Sequence, residues 1–159
     1  MKATQLLRSQ HRDAKKILVA LEKGESASKA TVEKLVTALG AHMVIEQEIF
    51  YPAVKAIKPD LVLESFEEHA GAQTMMERLL ATEPGDESFT ARVTTLKEMI
   101  QHHVDEEEDD LFPAVEKKMA AGELGELGEQ MERRFDEVKA EGFRPALDKA
   151  EEEQPMPVG

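Results

Sequence analysis

The chain contains no cysteine among its 159 residues. Disulfide bonds, zinc sites built from thiolates and cysteine nucleophiles are therefore all excluded. Any bound metal ion must be held by nitrogen and oxygen ligands, which histidine and carboxylate side chains supply.

Basic residues are scarce relative to acidic ones. The chain has 20 lysines and arginines against 33 aspartates and glutamates, for a net charge of −13, and no basic cluster appears anywhere. Because a negative field repels nucleic acid and anionic lipid, we expect neither as a partner. Residues 1–16 lack the apolar core of a signal peptide, and no apolar run reaches membrane-spanning length, so we expect a soluble cytoplasmic protein.

Apolar residues recur every three or four positions, which is the spacing of amphipathic helices. Four such helices are predicted, and each apolar seam is interrupted by a histidine, or by a histidine and a glutamate. The seams are Leu7, His11, Ala14, Leu18 and Leu21; Val32, Leu35, Leu39, His42, Glu46 and Ile49; Val62, Phe66, His69, Gln73, Met76 and Leu80; and Phe89, Val93, Leu96, Ile100, His103 and Glu107. A chain of this length fits one domain with a buried core.

Turn and capping residues separate these helices. Ser26 or Ser28 can cap the second helix and Asp60 the third, because their side-chain oxygens accept hydrogen bonds from free backbone amides. Pro52 and Pro113 should bend or end the second and fourth helices, because proline has no amide hydrogen and its ring clashes with the preceding turn.

A weaker helical pattern follows Gly122. It predicts one additional helix, marked by the apolar residues Leu124, Leu127, Met131 and Val138. The acidic, proline-containing residues 151–159 predict a disordered tail. We therefore expect an all-α protein. Two repeated helical hairpins form an up-and-down four-helix bundle at residues 1–120, and residues 121–150 are a C-terminal helical extension of the same domain.

The strongest pattern in the chain is a repeat. The segments AHMVIEQEIFYPAV and QHHVDEEEDDLFPAV match when their prolines are aligned, and each contains His-x-x-x-Glu, as His42 with Glu46 and as His103 with Glu107. Residues four apart on a helix project from the same face, one turn apart. Each pair is therefore able to hold a metal ion from one helix.

His11 and His69 precede the two motifs on the first helix of each hairpin. Each lies about as far before its hairpin turn as the motif histidine lies after it, so all four histidines can meet in one layer. The candidate metal ligands are His11, His42, Glu46, His69, His103 and Glu107. This set is typical of a dinuclear site, in which each metal takes two imidazoles from one hairpin while both carboxylates and a solvent-derived oxide or hydroxide bridge. Such donors suit iron, with manganese and zinc as possible occupants.

The repeated motif with its two additional histidines resembles the hemerythrin-like, or HHE cation-binding, family over roughly residues 1–120. This resemblance implies an up-and-down four-helix bundle with a non-heme di-iron centre that binds oxygen, nitric oxide or peroxide. Ferritin-like bundles use Glu-x-x-His instead, and no histidine here follows a glutamate by three residues. The ferritin-like fold is therefore set aside.

The chain departs from oxygen-carrying hemerythrins at two points. Gln73 stands where they place another histidine, and their last carboxylate follows its histidine by five residues, as Glu107 follows His102. We prefer His103 as the ligand because the repeat and the apolar seam both select it. Gln73 either hydrogen-bonds a metal-bound ligand or is a satisfied core amide, and we expect Tyr51 to pack at the bundle end.

Two functions from different classes remain open. The first is a non-enzymatic module that binds two iron ions and binds or senses oxygen, nitric oxide or iron. The alternative is an enzyme in which the same centre decomposes peroxide or reduces nitric oxide. In both, the partner is a small diatomic ligand or peroxide. A metal-free helical scaffold is the third interpretation.

Overall fold

The computed structural model describes residues 1–24 and 27–152, which form helices and short connections without any strand. The six helices are α1 (Ala3–Glu22), α2 (Lys29–Ile45 continued by Glu46–Phe50 and Tyr51–Val54), α3 (Pro59–Leu80), α4 (Phe89–Glu106 continued by Glu107–Leu111 and Phe112–Lys118), α5 (Ala121–Glu141) and α6 (Phe143–Glu152). None of the helices in this part of the chain is long and apolar enough to cross a bilayer.

Helices α1 to α4 form the bundle that the seams predict, and α5 and α6 pack against α2 from outside. The all-helical fold is therefore confirmed, but the single C-terminal helix is not. The helix breaks at Gly142, whose φ of 96° lies in the left-handed region that glycine adopts without strain. The predicted tail is wrong for Glu151 and Glu152, which belong to α6, and residues 153–159 lie outside the described residues.

Neither Pro52 nor Pro113 ends its helix. Before each proline the helix widens by one π turn, in which the amide of Tyr51 donates to the carbonyl of Glu46 and the amide of Phe112 donates to the carbonyl of Glu107. The proline then falls in the first turn of a new α-helical segment, where its missing N–H breaks no hydrogen bond. The prediction that these prolines end their helices is thus wrong, because both helices continue through a π turn.

One capping prediction is confirmed and the other is wrong. The hydroxyl of Ser28 accepts a hydrogen bond from the amide of Thr31 at 3.2 Å, so Ser28 caps α2, while Ser26 lies outside the described residues. Asp60 is not a cap, because α3 begins one residue earlier, at Pro59, and Lys58 takes the capping position. Asp60 instead lies in the first helical turn, where its negative charge interacts favourably with the helix dipole.

The core consists of two apolar clusters, one in each half of the bundle. One contains Leu18, Leu35 and Leu96 from three different helices. The other contains Leu7, Phe50, Tyr51, Phe66 and Phe112. Between them lies a layer of buried histidines and glutamates, which the bundle holds across its middle.

Gly40 gives a test of how closely α6 packs on α2. A Cβ at Gly40 would lie 2.9 Å from the backbone carbon of Ala146, so Gly40→Ala must push α6 outward. We expect the free energy of unfolding to fall by about 1–3 kcal/mol in urea titrations of the metal-free protein.

The matched control is Gly125→Ala on α5, where an added Cβ meets nothing within 4 Å. This variant should gain about 0.5–1 kcal/mol, because alanine restricts the unfolded chain and favours the helix. Equal stabilities for the two variants would contradict the close contact between α2 and α6.

Candidate metal centre

The structure brings all six predicted ligand residues into the polar layer. Their side chains are buried, and the two glutamates are fully so. The ligand atoms form two groups within which all lie closer than 4.8 Å: one group is His11, His42, Glu46 and Glu107, and the other is Glu46, His69 and His103. Glu46 belongs to both groups. This is the grouping by hairpin that the sequence predicts, and that these residues bind metal stays a prediction.

Each carboxylate faces one histidine from each hairpin. The Oε1 atom of Glu46 lies 3.1 Å from Nε2 of His42 and 3.0 Å from Nε2 of His69. The Oε1 atom of Glu107 lies 3.2 Å from Nε2 of His11 and 3.3 Å from Nε2 of His103. Ligands about 2.1 Å from one ion and at right angles to each other are themselves about 3 Å apart. The spacing of the layer therefore fits metal ligands.

Every histidine is oriented through its other ring nitrogen. The Nδ1 contacts are His11 with Glu108 at 2.7 Å, His42 with Gln10 at 2.7 Å, His69 with Gln47 at 2.6 Å, and His103 with Glu68 at 2.7 Å. All four partner atoms are oxygens that accept, so each Nδ1 donates its hydrogen and Nε2 points to the centre. Such outer partners fix the ring orientation of metal-binding histidines and raise their basicity.

The four outer partners form a closed ring around the bundle. Gln10 on α1 holds the histidine of α2, Gln47 on α2 holds that of α3, Glu68 on α3 holds that of α4, and Glu108 on α4 holds that of α1. The sequence analysis missed all four. Their signal was their position, since each is the immediate neighbour of a predicted ligand on its own helix.

Unsatisfied atoms in the layer point to a cation. Within the described residues, both oxygens of Glu46, Oε1 of Glu107 and Nε2 of His11 are buried and have no hydrogen-bond partner outside the layer. Burying polar atoms unpaired costs roughly 2–7 kcal/mol each, and ionised groups cost more. Burial alone raises the pKa of Glu46, but electrostatic and hydrogen-bond interactions with His42, His103 and His69 hold that pKa well below its usual range. Glu46 therefore stays ionised and fits a metal ligand.

Two histidines hold protons where a metal would bind. Burial works to lower the pKa of His11, but its contacts with Glu107 and Glu108 outweigh burial and raise that pKa to about 9. For His103 the carboxylates likewise outweigh burial and raise the pKa well above its usual value. By contrast, burial lowers the pKa of His69. The protons on His11 and His103 compensate the two carboxylates and must leave when a metal ion binds.

Tyr51 lies in this layer, which the sequence analysis did not expect. Its ring packs against Phe66, but its buried hydroxyl donates a 2.8 Å hydrogen bond to Oε2 of Glu107. The hydroxyl oxygen of Tyr51 is also 3.2 Å from Nε2 of both His69 and His103. Burial and the charge of Glu107 raise the pKa of Tyr51 well above its usual value, so the hydroxyl keeps its proton. The prediction that Tyr51 only packs at the bundle end is therefore wrong.

The π turn explains this position. It places Tyr51 five residues after Glu46 yet on the inner face, and the second repeat places Phe112 in the same way after Glu107. The Phe112 ring stacks 5.9 Å from the ring of His11. One half of the layer thus carries a hydroxyl and the other an apolar ring, so the two halves differ chemically.

The structure places His102 away from the six buried side chains and Gln73 beside the partner of His69, and which histidine binds metal stays a prediction. His102 has a side chain that is 67% exposed and faces Glu106 and Glu68 outside the layer. The amide nitrogen of Gln73 donates to Oε1 of Gln47 at 3.3 Å and to the carbonyl of Ala150 at 3.2 Å. Gln73 therefore supports the partner of His69, and the carbonyl of Ala150 links α6 to this outer shell.

A small cavity of about 20 Å³ adjoins the four histidines. Apart from Gln10, its other walls are apolar, with Ala14, Leu39, Ile100 and Val104 among them. This volume accommodates one molecule of about the size of water.

Comparison with known proteins places these features in a family. Residues 2–115 match the family described as Hemerythrin HHE cation binding domain. A DNA nickase from Nostoc sp. is 29% identical over 103 residues, which span 64% of this chain and 27% of the nickase. The uncharacterized protein Rv2633c of Mycobacterium tuberculosis is 27% identical over 109 residues, which span 67% of this chain and 66% of that protein.

A solved structure shares the fold of this chain. It is the crystal structure of a Hemerythrin HHE cation binding domain-containing protein, the Rv2633c homolog from Mycobacterium kansasii. The two chains share 26% identity with a TM-score of 0.81, over 94% of this chain and 99% of the other. The buried histidines and glutamates form groups that could hold a metal ion, as expected of a cation-binding domain. The chain belongs to the hemerythrin HHE cation-binding family.

Proposed function

We propose that this chain binds two iron ions side by side in the polar layer. The observation that carries the proposal is the pair of ligand groups that share the ionised, fully buried Glu46. One ion would take His11 and His42, the other His69 and His103, with Glu46 and Glu107 between them. Imidazole and carboxylate donors suit iron, and no thiolate is present to favour softer ions.

The proposed role of the centre is to bind or sense a small ligand such as oxygen or nitric oxide. Iron supplies reversible redox change and an open coordination position when it is bound. The protein's own residues restrict access, because the cavity of about 20 Å³ beside the histidines admits only a molecule of few atoms. Its apolar walls also favour ligands that shed their hydration shell at low cost.

A second candidate function is the turnover of peroxide or the reduction of nitric oxide. Tyr51 favours it, because both reactions need proton transfer and its hydroxyl proton is held at the centre by Glu107. We do not expect this chain to share the activity of the Nostoc nickase, because the match spans only 27% of that protein. A net charge of −13 also repels the phosphates of DNA.

Removing the shared carboxylate tests the dinuclear site. After anaerobic loading with ferrous iron and desalting, we expect two irons per wild-type chain and at most one in Glu46→Ala, because Glu46 belongs to both ligand groups. Iron content is measured by inductively coupled plasma mass spectrometry. Glu67→Ala, which removes an exposed carboxylate from α3, should retain both irons. Two irons in Glu46→Ala would refute the proposal.

Proton release gives an independent check. At pH 7 the metal-free protein carries protons on His11, whose pKa is about 9, and on His103, whose pKa is also raised. Iron binding should therefore release about two protons per chain from these rings, and affinity should fall as pH falls. A dye indicator in weak buffer measures the release. The exposed His102→Ala variant should release as many protons, whereas iron uptake without release contradicts the assignment of ligands.

Tyr51→Phe separates the two candidate functions. It removes only the hydroxyl, so iron content and helical circular dichroism should stay at wild-type values. If the chain is an enzyme, peroxide consumption measured with an oxygen electrode should fall by about 10²-fold or more, as expected for loss of a proton donor. A wild-type protein that forms a stable nitric oxide adduct and consumes no peroxide is a binding module.

A further inference from the structure

A cleft between α1 and α4 leads from the surface toward the cavity beside the histidines. The cleft has a volume of about 140 Å³. His11, Ile100 and Val104 line both the cleft and the cavity, so these three residues, which we call the neck, lie between the two. Ile100 and Val104 are apolar, and His11 is a candidate metal ligand.

The outer part of the cleft is positively charged. Arg12 and Lys15, one helical turn apart on α1, are exposed and line its mouth, and among the described residues no carboxylate lies within 4 Å of either cation. Lys97 on α4 also lines the cleft but pairs with Glu22 at 2.7 Å. The acidic group in the wall, Glu108, is hydrogen-bonded to the Nδ1 atom of His11.

This arrangement corrects the sequence analysis, which found no basic cluster. Arg12 and Lys15 lie three residues apart on α1, and Lys97 lies far along the chain on α4. The three cations therefore do not form a continuous basic run in the sequence. A positive mouth is unusual on a protein whose net charge is −13. Local charge in a cleft raises the concentration of oppositely charged ligands there and speeds their association.

We propose that this cleft is the access route to the metal centre, and that Arg12 and Lys15 speed the entry of small inorganic anions relative to neutral ligands such as oxygen and nitric oxide. The inference rests on the proposed function, because it requires metal in the layer. Attraction at the mouth offsets the repulsion that the acidic surface exerts on an anion. The neck then excludes anything larger than a few atoms.

The test compares an anionic and a neutral probe in stopped-flow experiments. Azide is mixed with the protein loaded with ferric iron, and nitric oxide with the protein loaded with ferrous iron. At low salt, Arg12→Glu/Lys15→Glu should slow azide association by about tenfold or more, while nitric oxide association changes less than about twofold. The loss should shrink in about 0.5 M salt, where charges are screened within a few ångströms.

The matched control is Lys34→Glu/Lys55→Glu, which changes the net charge equally. Lys34 is exposed on α2 and Lys55 is exposed in the turn directly after α2, and neither lines the cleft or the cavity. Azide association should fall much less in this control. Equal slowing in the two double variants, or equal slowing of azide and nitric oxide in Arg12→Glu/Lys15→Glu, overturns selection by the mouth.

The neck is tested separately with Val104→Phe, and with Gln101→Trp at the mouth should the first variant not fold. Either bulky side chain should slow both probes by about tenfold, because it obstructs the shared path. Unchanged rates for both probes overturn the route. Iron content is measured first in every variant. A wild-type chain without iron refutes the proposed function, whereas two irons with unchanged azide rates refute this inference alone.

Discussion

Six ionisable side chains are buried across the middle of an apolar bundle, and the rest of the structure depends on how these groups are compensated. Each would be costly alone, and the layer compensates them in three ways. Protons on His11 and His103 balance the carboxylates, Nδ1 of each histidine donates to an oxygen, and the remaining unsatisfied atoms face one another at spacings that suit a shared ion. The ring of outer partners joins all four bundle helices, so their register around the bundle is fixed by the same hydrogen bonds.

The two π turns convert a symmetric repeat into an asymmetric centre. Both begin at a candidate ligand glutamate, and both aim the residue five positions later into the core. In the first repeat that residue is Tyr51, with a hydroxyl at the layer, and in the second it is Phe112, which stacks on His11. Short π segments recur at functional sites because the extra residue re-aims side chains without ending the helix. The two ion positions therefore have different neighbours.

The helices and the candidate ligands could be predicted from the sequence because both depend on local spacing. The apolar seams have the period of a helix. The four-residue spacing of His42 and Glu46, repeated in His103 and Glu107, places each pair on one helix face. Other features depend on contacts that local spacing does not carry. The π turns follow from packing around Pro52, so the inward Tyr51 was missed. The outer ring joins residues on different helices, and the cationic cleft likewise combines two helices.

Anomalous diffraction at the iron absorption edge, from crystals of protein loaded anaerobically with ferrous iron, tests the central claim most directly. The account predicts two anomalous peaks inside the layer, one beside the Nε2 atoms of His11 and His42 and one beside those of His69 and His103, with Glu46 reaching both. A single peak in the layer would contradict the dinuclear assignment. Density only at the exposed group of Glu68, His102 and Glu106 would contradict the role given to the buried histidines.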